Sequence, residues 1–492
     1  MQLRPFIFFG IALAVFVWTC AGDSSANETS QELPIATLIE QQCGRCHAVP
    51  KAEDLDQATW RTHVLPRMGY FMGMYDDENP RASLMEANAT EVVEANIFPE
   101  QAIIDAKSWQ RIKDYFLQNA PAELVVDTLH FTDTQAIFSA HFPSLFLSPP
   151  GTLLTRFSPS GGYFTADVHK EQLLFSDQEH NIRTGFPVPG GVVDLQIEST
   201  RLLLTSMGSF SPTDVASGSI LALHLQQAQP APRTIIDKLQ RPVQTISADL
   251  NADGRNDLLI PEFGKWTGGL SWWEQQNNGT YTEHELRRSA GALRVATTDL
   301  NGDQQTDIIA LFGQGDEGFW AFYNQGGGQF SEALLFRLPP SYGSSFFTVV
   351  DWNEDGTADI LYTNGDNADY SPILKPYHGI RLYLQHEDGT FKEEWFQALP
   401  GAYQARAADF DLDGDLDLIA ISFFPDYGRQ ADHSVVLFEN EGNANFIAKR
   451  FAQAQSGRWI TMDIADNDQD GDTDILLGSM AFEVIPPTGI LD

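Results

Sequence analysis

Asp409-Phe410-Asp411-Leu412-Asp413-Gly414-Asp415-Leu416-Asp417 runs directly into Leu418-Ile419, and its pattern occurs four more times. A second rich copy is Asp466-Asn467-Asp468-Gln469-Asp470-Gly471-Asp472-Thr473-Asp474. Three leaner copies come earlier: Asp249-Leu250-Asn251-Ala252-Asp253-Gly254-Arg255-Asn256-Asp257, Asp299-Leu300-Asn301-Gly302-Asp303-Gln304-Gln305-Thr306-Asp307 and Asp351-Trp352-Asn353-Glu354-Asp355-Gly356-Thr357-Ala358-Asp359. Successive copies start 50, 52, 58 and 57 residues apart. A period near 50 residues, with turn chemistry at fixed offsets, signals a propeller or array. Each ninth-position Asp leads into apolar residues such as Leu258-Leu259-Ile260 or Ile475-Leu476-Leu477. Short apolar runs bounded by turn residues read as buried strands, so each phrase occupies a β-turn.

Oxygens at positions one, three, five and nine of a tight loop, with a main-chain carbonyl at seven, suit a hard cation such as Ca²⁺. The carbonyl position holds Arg255, Gln305, Thr357, Asp415 and Asp472. Glycine at position six permits a sharp turn in four copies, and Gln304 in the second makes that loop the weakest candidate. An EF-hand needs Glu at position twelve, where this chain has Ile260, Ala310, Tyr362, Ala420 and Leu477. The alternative is that Asp, Asn and Gly simply make turns. The pattern resembles FG-GAP (VCBS-type) repeats. That resemblance implies a mainly β chain whose residues 123–492 form a propeller with calcium-binding loops. Two degenerate copies, Val193-Asp194-Leu195 and Ala166-Asp167-Val168, bring the expected blade count to seven. The last of these would be completed by a returning segment near Thr134 to Phe142.

Lys and Arg number 30 against 67 Asp and Glu, a net charge of −37. So acidic a chain is a poor partner for nucleic acid. The five phrases hold 19 aspartates, and five Ca²⁺ ions would still leave −27. Crowded carboxylates imply calcium-dependent stability.

The opposite end of the chain reads differently. Arg4 precedes an apolar run from Phe6 to Val17, interrupted only by Gly10, too short to span a bilayer comfortably. Val17-Trp18-Thr19-Cys20 resembles a bacterial lipoprotein cleavage box. The resemblance implies lipidation of Cys20, with residues 23–31 as a tether; the alternative is ordinary cleavage near Ala21. Either reading sends the chain out of the cytoplasm, to the periplasm or the cell surface.

The remaining two of the three cysteines fall in Cys43-Gly44-Arg45-Cys46-His47. In a C-x-x-C-H run two thiols add to haem vinyl groups, and the following His sits over the iron. A zinc half-site lacks a second Cys pair, and a thioredoxin-like pair leaves His47 unexplained. Leu33, Ile35, Leu38 and Ile39 precede the motif at helical spacing, while Trp109, Ile112, Tyr115 and Phe116 form a stripe ending before Pro121. Residues 32–122 therefore resemble a small all-α class I cytochrome c domain with haem c. The sixth ligand is expected at Met68, with Met72, Met74, His63 or an open position as alternatives.

The loops leaving the strands that follow the acidic phrases should emerge together on the other face of the ring: Gly264 to Trp266, Gln314 to Trp320, Asn364 to His378 and Pro425 to His433. Such loops commonly carry binding, which makes Asp366, Asn367, Tyr370, His378 and Asp426 candidates for contact with a polysaccharide or small molecule. Plain turn-making is the alternative for these residues too. Three functions stay open: electron transfer to a redox partner protein with the propeller as docking platform, a dehydrogenase that feeds its own haem, and Ca²⁺-dependent adhesion.

Overall fold

The computed structural model describes residues 32–87, 90–127, 129–132, 137–143, 148–368, 373–426, 428, 431–442 and 444–481. The leader, Cys20 and the tether lie outside the described residues. Among those described, no helix is long and apolar enough to cross a membrane.

A helical unit comes first. Helix α1 (Ile35–Cys43) starts after Pro34 and buries Leu38 and Ile39, but Leu33 lies before it and is 43% exposed. Helix α2 (Gln57–Thr59) passes through a π-helical stretch, Trp60–Val64, into α3 (Leu65–Phe71). After α4 (Thr90–Glu94) comes α5 (Ala106–Asn119), capped by the Asp105 carboxylate, which accepts from Ser108 N. The expected stripe points inward: Trp109, Ile112 and Phe116 are buried against α1 and the Trp60 ring, whose centroid lies 4.4 Å from that of Phe116.

Six four-stranded antiparallel blades follow. The first holds β1 (Thr152–Phe157), β2 (Tyr163–Asp167), β3 (Gln172–Ser176) and β4 (Ile182–Pro187). The second holds β5 (Val192–Ile197), β6 (Leu202–Ser206), β7 (Gly218–Leu223) and β8 (Arg233–Leu239). The third holds β9 (Ile246–Ala248), β10 (Asp257–Glu262), β11 (Gly269–Gln275) and β12 (Tyr281–Arg287). The fourth holds β13 (Ala292–Thr298), β14 (Asp307–Phe312), β15 (Gly318–Asn324) and β16 (Phe330–Arg337). The fifth holds β17 (Ser344–Val350), β18 (Asp359–Asn364), β19 (Gly379–Gln385) and β20 (Phe391–Ala398), and the sixth β21 (Ala402–Ala408), β22 (Asp417–Ser422), β23 (Val435–Asn440) and β24 (Phe446–Arg450). The second strands are sealed on both faces: every residue of β14, β18 and β22 is buried. Burying each Ile or Leu there contributes about 1.5–3 kcal/mol.

Among the described residues there are six four-stranded blades and not the expected seven. The fifth acidic phrase lies instead in a two-stranded sheet, β25 (Trp459–Ala465) with β26 (Asp474–Ser479), packed between the sixth blade and β1. Gly151 bridges to Met480, and Ala481 N donates to Pro150 O, closing the circle. Residues 134–136 of the proposed completing segment lie outside the described residues. Its Phe138 adds no strand but packs on Phe410 and Phe451, over the core under this sheet. The degenerate phrases need one correction. Val193-Asp194-Leu195 does lie on an innermost strand, β5. Ala166-Asp167-Val168 instead borders the β2–β3 turn, where Asp167 Oδ1 accepts from His169 N and Lys170 N. The turn equivalent to an acidic phrase in the first blade is Ser158–Gly162, with no carboxylate at all. The two degenerate phrases, 27 residues apart, therefore do not mark equivalent turns.

Candidate functional site

Each acidic phrase is the hairpin turn between the first and second strands of its sheet, and its ninth residue opens the second strand. All five copies share one backbone shape. Position four has positive φ in Ala252 (62°), Gly302 (77°), Glu354 (57°), Leu412 (63°) and Gln469 (64°). Position six does too, including Gln304 at 68°. The copy without glycine at position six is therefore bent like the others, at a steric cost of roughly 1–2 kcal/mol. Sequence reading found position six through its glycines but missed position four, where side chains from Ala to Leu hide the requirement.

These bends turn backbone amides onto the carboxylates. Asp409 accepts from Asp413 N (3.1 Å) and Gly414 N (3.0 Å), and Asp249, Asp351 and Asp466 repeat the arrangement. The ninth-position aspartates act as anchors. Asp257, Asp307, Asp359 and Asp417 are fully buried. Each accepts from the position-two amide and from the amide at the end of the third strand, as in Asp417 with Phe410 N (3.0 Å) and Asn440 N (2.8 Å). Burial holds the Asp417 carboxyl up at about 6, against the pull of those amides.

The copies differ in how their charge is met. In the first, the Arg255 guanidinium pairs with Asp253. In the second and third, Asn301 and Asn353 side-chain amides donate to Asp303 and Asp355. In the fourth and fifth, carboxylate oxygens of Asp409, Asp411 and Asp413, and of Asp466, Asp468 and Asp470, gather within 4.8 Å of one another. Burial and neighbouring aspartates raise the Asp411 and Asp415 carboxyls above their usual range. Oxygen-only donors at that spacing fit a hard cation.

In the Cys43 to His47 motif, Cys43 ends α1 and both thiols are free. Burial pushes the Cys43 thiol up to about 11. His47 Nδ1 lies 2.7 Å from Ala48 O; donating to that carbonyl would leave Nε2 with its lone pair for a metal. Met68 and Met74 are half-buried and Met72 is buried, all against the core that Cys43 also touches. A cleft of about 470 Å³ opens beside α3 and α5, lined by Leu65, Tyr70, Met74, Tyr75 and Trp109. Met74 is the one candidate ligand that lines it; Cys43, Cys46, His47, Met68, Met72 and His63 do not.

The loops expected to gather opposite the acidic turns do so, and the helical unit docks on them. Trp266 packs edge-on against Phe71 and Phe98, each centroid 5.4 Å away. Glu86 accepts from Lys265 Nζ (2.9 Å) and Thr213 Oγ1 (2.6 Å), and Tyr377 donates to Asp54 O (2.8 Å). Asp214 holds the gripping loop through Trp266 N and Thr267 N. No repeat or motif marks Glu86, Thr213 or Asp214, so sequence reading passed over them.

The proposed substrate residues fare unevenly. His378 is buried (1% exposed), and its Nε2 has no hydrogen-bond partner among the described residues. Asn367 is spent inside its loop, accepting from Lys375 Nζ and donating to Ile373 O. Asp366 caps Ala368 N, and Asp426 is half-buried. Tyr370 lies outside the described residues.

A family model described as an FG-GAP-like repeat matches residues 249–310 and 299–362. The chain carries FG-GAP-like repeats. Among curated proteins none matches. Solved structures give loose likenesses. The N-terminal domain of Nup159 has 13% identity over 67% of this chain and 87% of that one, with a TM-score of 0.42. Virginiamycin B lyase from Staphylococcus aureus has 15% identity over 64% and 88%, TM-score 0.42. The periplasmic gluconolactonase PpgL of Pseudomonas aeruginosa has 10% identity over 60% and 83%, TM-score 0.40.

Proposed function

We propose that this protein is an exported c-type cytochrome that transfers electrons to a redox partner protein, with a calcium-stiffened propeller as its platform. The observation carrying the reading is the turn after α1, where two free thiols are followed at once by an imidazole whose Nδ1 faces a carbonyl. Cys43 and Cys46 would hold haem c by thioether bonds, with His47 as proximal ligand. The bound group would supply one-electron chemistry. Met68, Met72 or Met74 would serve as the sixth ligand, all three lying in or against the core that Cys43 touches. The buried, internally committed Asn367 and the buried His378 weigh toward a carrier and away from a dehydrogenase using those residues. Ca²⁺ would bind the acidic turns, most strongly the fourth and fifth, and a lipid on Cys20 would tether the protein to a membrane outside the cytoplasm.

The test is expression with a c-type haem maturation system, followed by a denaturing gel stained for haem and by reduced and oxidised spectra. Covalent haem in the wild type, lost in the double variant Cys43→Ala/Cys46→Ala, is expected. A wild-type chain without covalent haem under those conditions would overturn the reading.

A further inference from the structure

The innermost strands line a central channel in which charge is uneven. Arg156 on β1, Arg294 on β13 and Arg406 on β21 meet two aspartates, Asp194 on β5 and Asp463 on β25, all close enough to act electrostatically on Arg294. Both carboxylates already have partners. Asp194 accepts from Arg156 Nη2 (3.0 Å) and Thr245 N (2.9 Å), and Asp463 accepts from Phe157 N (2.8 Å). Neither Arg294 nor Arg406 has an ion pair among the described residues.

A guanidinium offers five N–H donors. Arg294 places one, on Phe347 O at 3.0 Å, and Arg406 one at the long distance of 3.5 Å, on Met462 O. Arg294 and Arg406 are both half-buried. Arg381, by contrast, spends its fork on Glu393, Asn364 and Tyr377 O. Arg294 and Arg406 also share a support: their guanidinium carbons stand 3.9 and 4.3 Å from the Phe346 ring centroid, hence within 8.2 Å of each other. Stacking on an aromatic ring fixes the plane of a guanidinium and leaves its N–H edge free. Burial pulls the Arg406 guanidinium down to about 10 and lowers that of Arg294 well below its ordinary value, so an anion there would meet weakly screened charge.

We propose that the central channel holds a binding site for a small oxyanion, gripped by the free edges of Arg294 and Arg406, both of which pack against the Phe346 ring. Planar forks of this kind pair with carboxylate and tetrahedral oxyanions alike. The site lies inside the ring and uses none of the acidic turns or haem residues.

The test is thermal melting of the full chain in Tris chloride, titrated with sulfate or with acetate while sodium chloride keeps the ionic strength constant. A saturable rise in melting temperature is expected for at least one oxyanion: sulfate alone marks a tetrahedral ligand, acetate alone a carboxylate. The apparent affinity should fall at least tenfold in Arg294→Gln and Arg406→Gln and stay unchanged in the surface control Arg183→Gln. A rise that never saturates, that chloride reproduces, or that persists in both channel variants would overturn the proposal. Should either variant not fold, the wild-type comparison of oxyanion with chloride decides alone, because no saturable difference there also overturns it.

Discussion

The ninth-position aspartates can be tested as anchors apart from any metal, and Asp307 is the best place because its turn is the one with no glycine at position six. Its carboxylate is buried and accepts from Leu300 N (3.1 Å) and Asn324 N (2.7 Å). Asp307→Ala strands both amides inside the ring. Each buried, unpaired group costs about 1–3 kcal/mol, so the loss is roughly 4 kcal/mol. Over a ring running from Thr152 to Ser479, about 2 cal/mol/K per residue gives an unfolding entropy of roughly 0.7 kcal/mol/K. Melting should therefore drop by about 6 °C. Asp307→Asn keeps one acceptor but turns an NH₂ toward the other amide, which places it between wild type and Ala. Circular dichroism melts in excess EDTA remove the metal contribution from all three proteins. An Ala variant melting within about 1 °C of wild type would refute the anchoring role, because those amides would then be satisfied some other way.

Other outcomes follow from the same geometry. Asp411→Asn should raise the melting temperature in EDTA and shrink the rise produced by calcium, since it removes one charge from three carboxylates gathered within 4.8 Å; opposite signs in calorimetric scans would contradict this. Burial holds His378 neutral in the folded protein, its affinity for a proton well below the ordinary value. The unfolded chain takes up a proton below about pH 6.5, so stability is lost as pH falls through that range, with a limiting slope of about 1.4 kcal/mol per pH unit. His378→Gln should flatten the melting-temperature profile between about pH 6.5 and 5, and a profile parallel to wild type would count against the burial argument. Trp266→Ala should speed proteolytic cutting in residues 120–151, with the ring's melting unchanged, because Trp266 grips Phe71 and Phe98 of the helical unit.

The sequence made the ring legible because the acidic turns repeat at a strand-compatible period, and a turn that must bend twice leaves little compositional freedom. It made α5 legible because Trp109, Ile112 and Phe116 share one face. Blade number was not legible, since a phrase marks a first hairpin and says nothing about whether the outer two strands follow. Asp466 to Asp474 is as rich as any copy, yet it heads a sheet of two strands. The docking of the helical unit was equally hidden: it rests on single residues such as Glu86 and Trp266 that no period marks. The burial of His378 and Asn367 was hidden too, because polar residues in a long loop read as exposed in the sequence.

The two-stranded sheet also gives the connector a structural role. Strands β1 to β24 form four-stranded blades, but among the described residues β25 and β26 have no third and fourth strands. The segment between the helical unit and β1 passes over this region. Thr132 N donates to Ala448 O in β24, Phe131 receives Arg450 on its face (5.0 Å) and His433 at its edge (4.5 Å), and Phe138 reaches the core beneath β25. Buried aromatic area of this kind contributes a few kcal/mol per ring. The chain that ties the haem-motif unit to the ring therefore also shields the place where the ring closes. Loosening Trp266 would free only the unit's grip on the loop face, whereas replacing Phe138 should weaken closure itself.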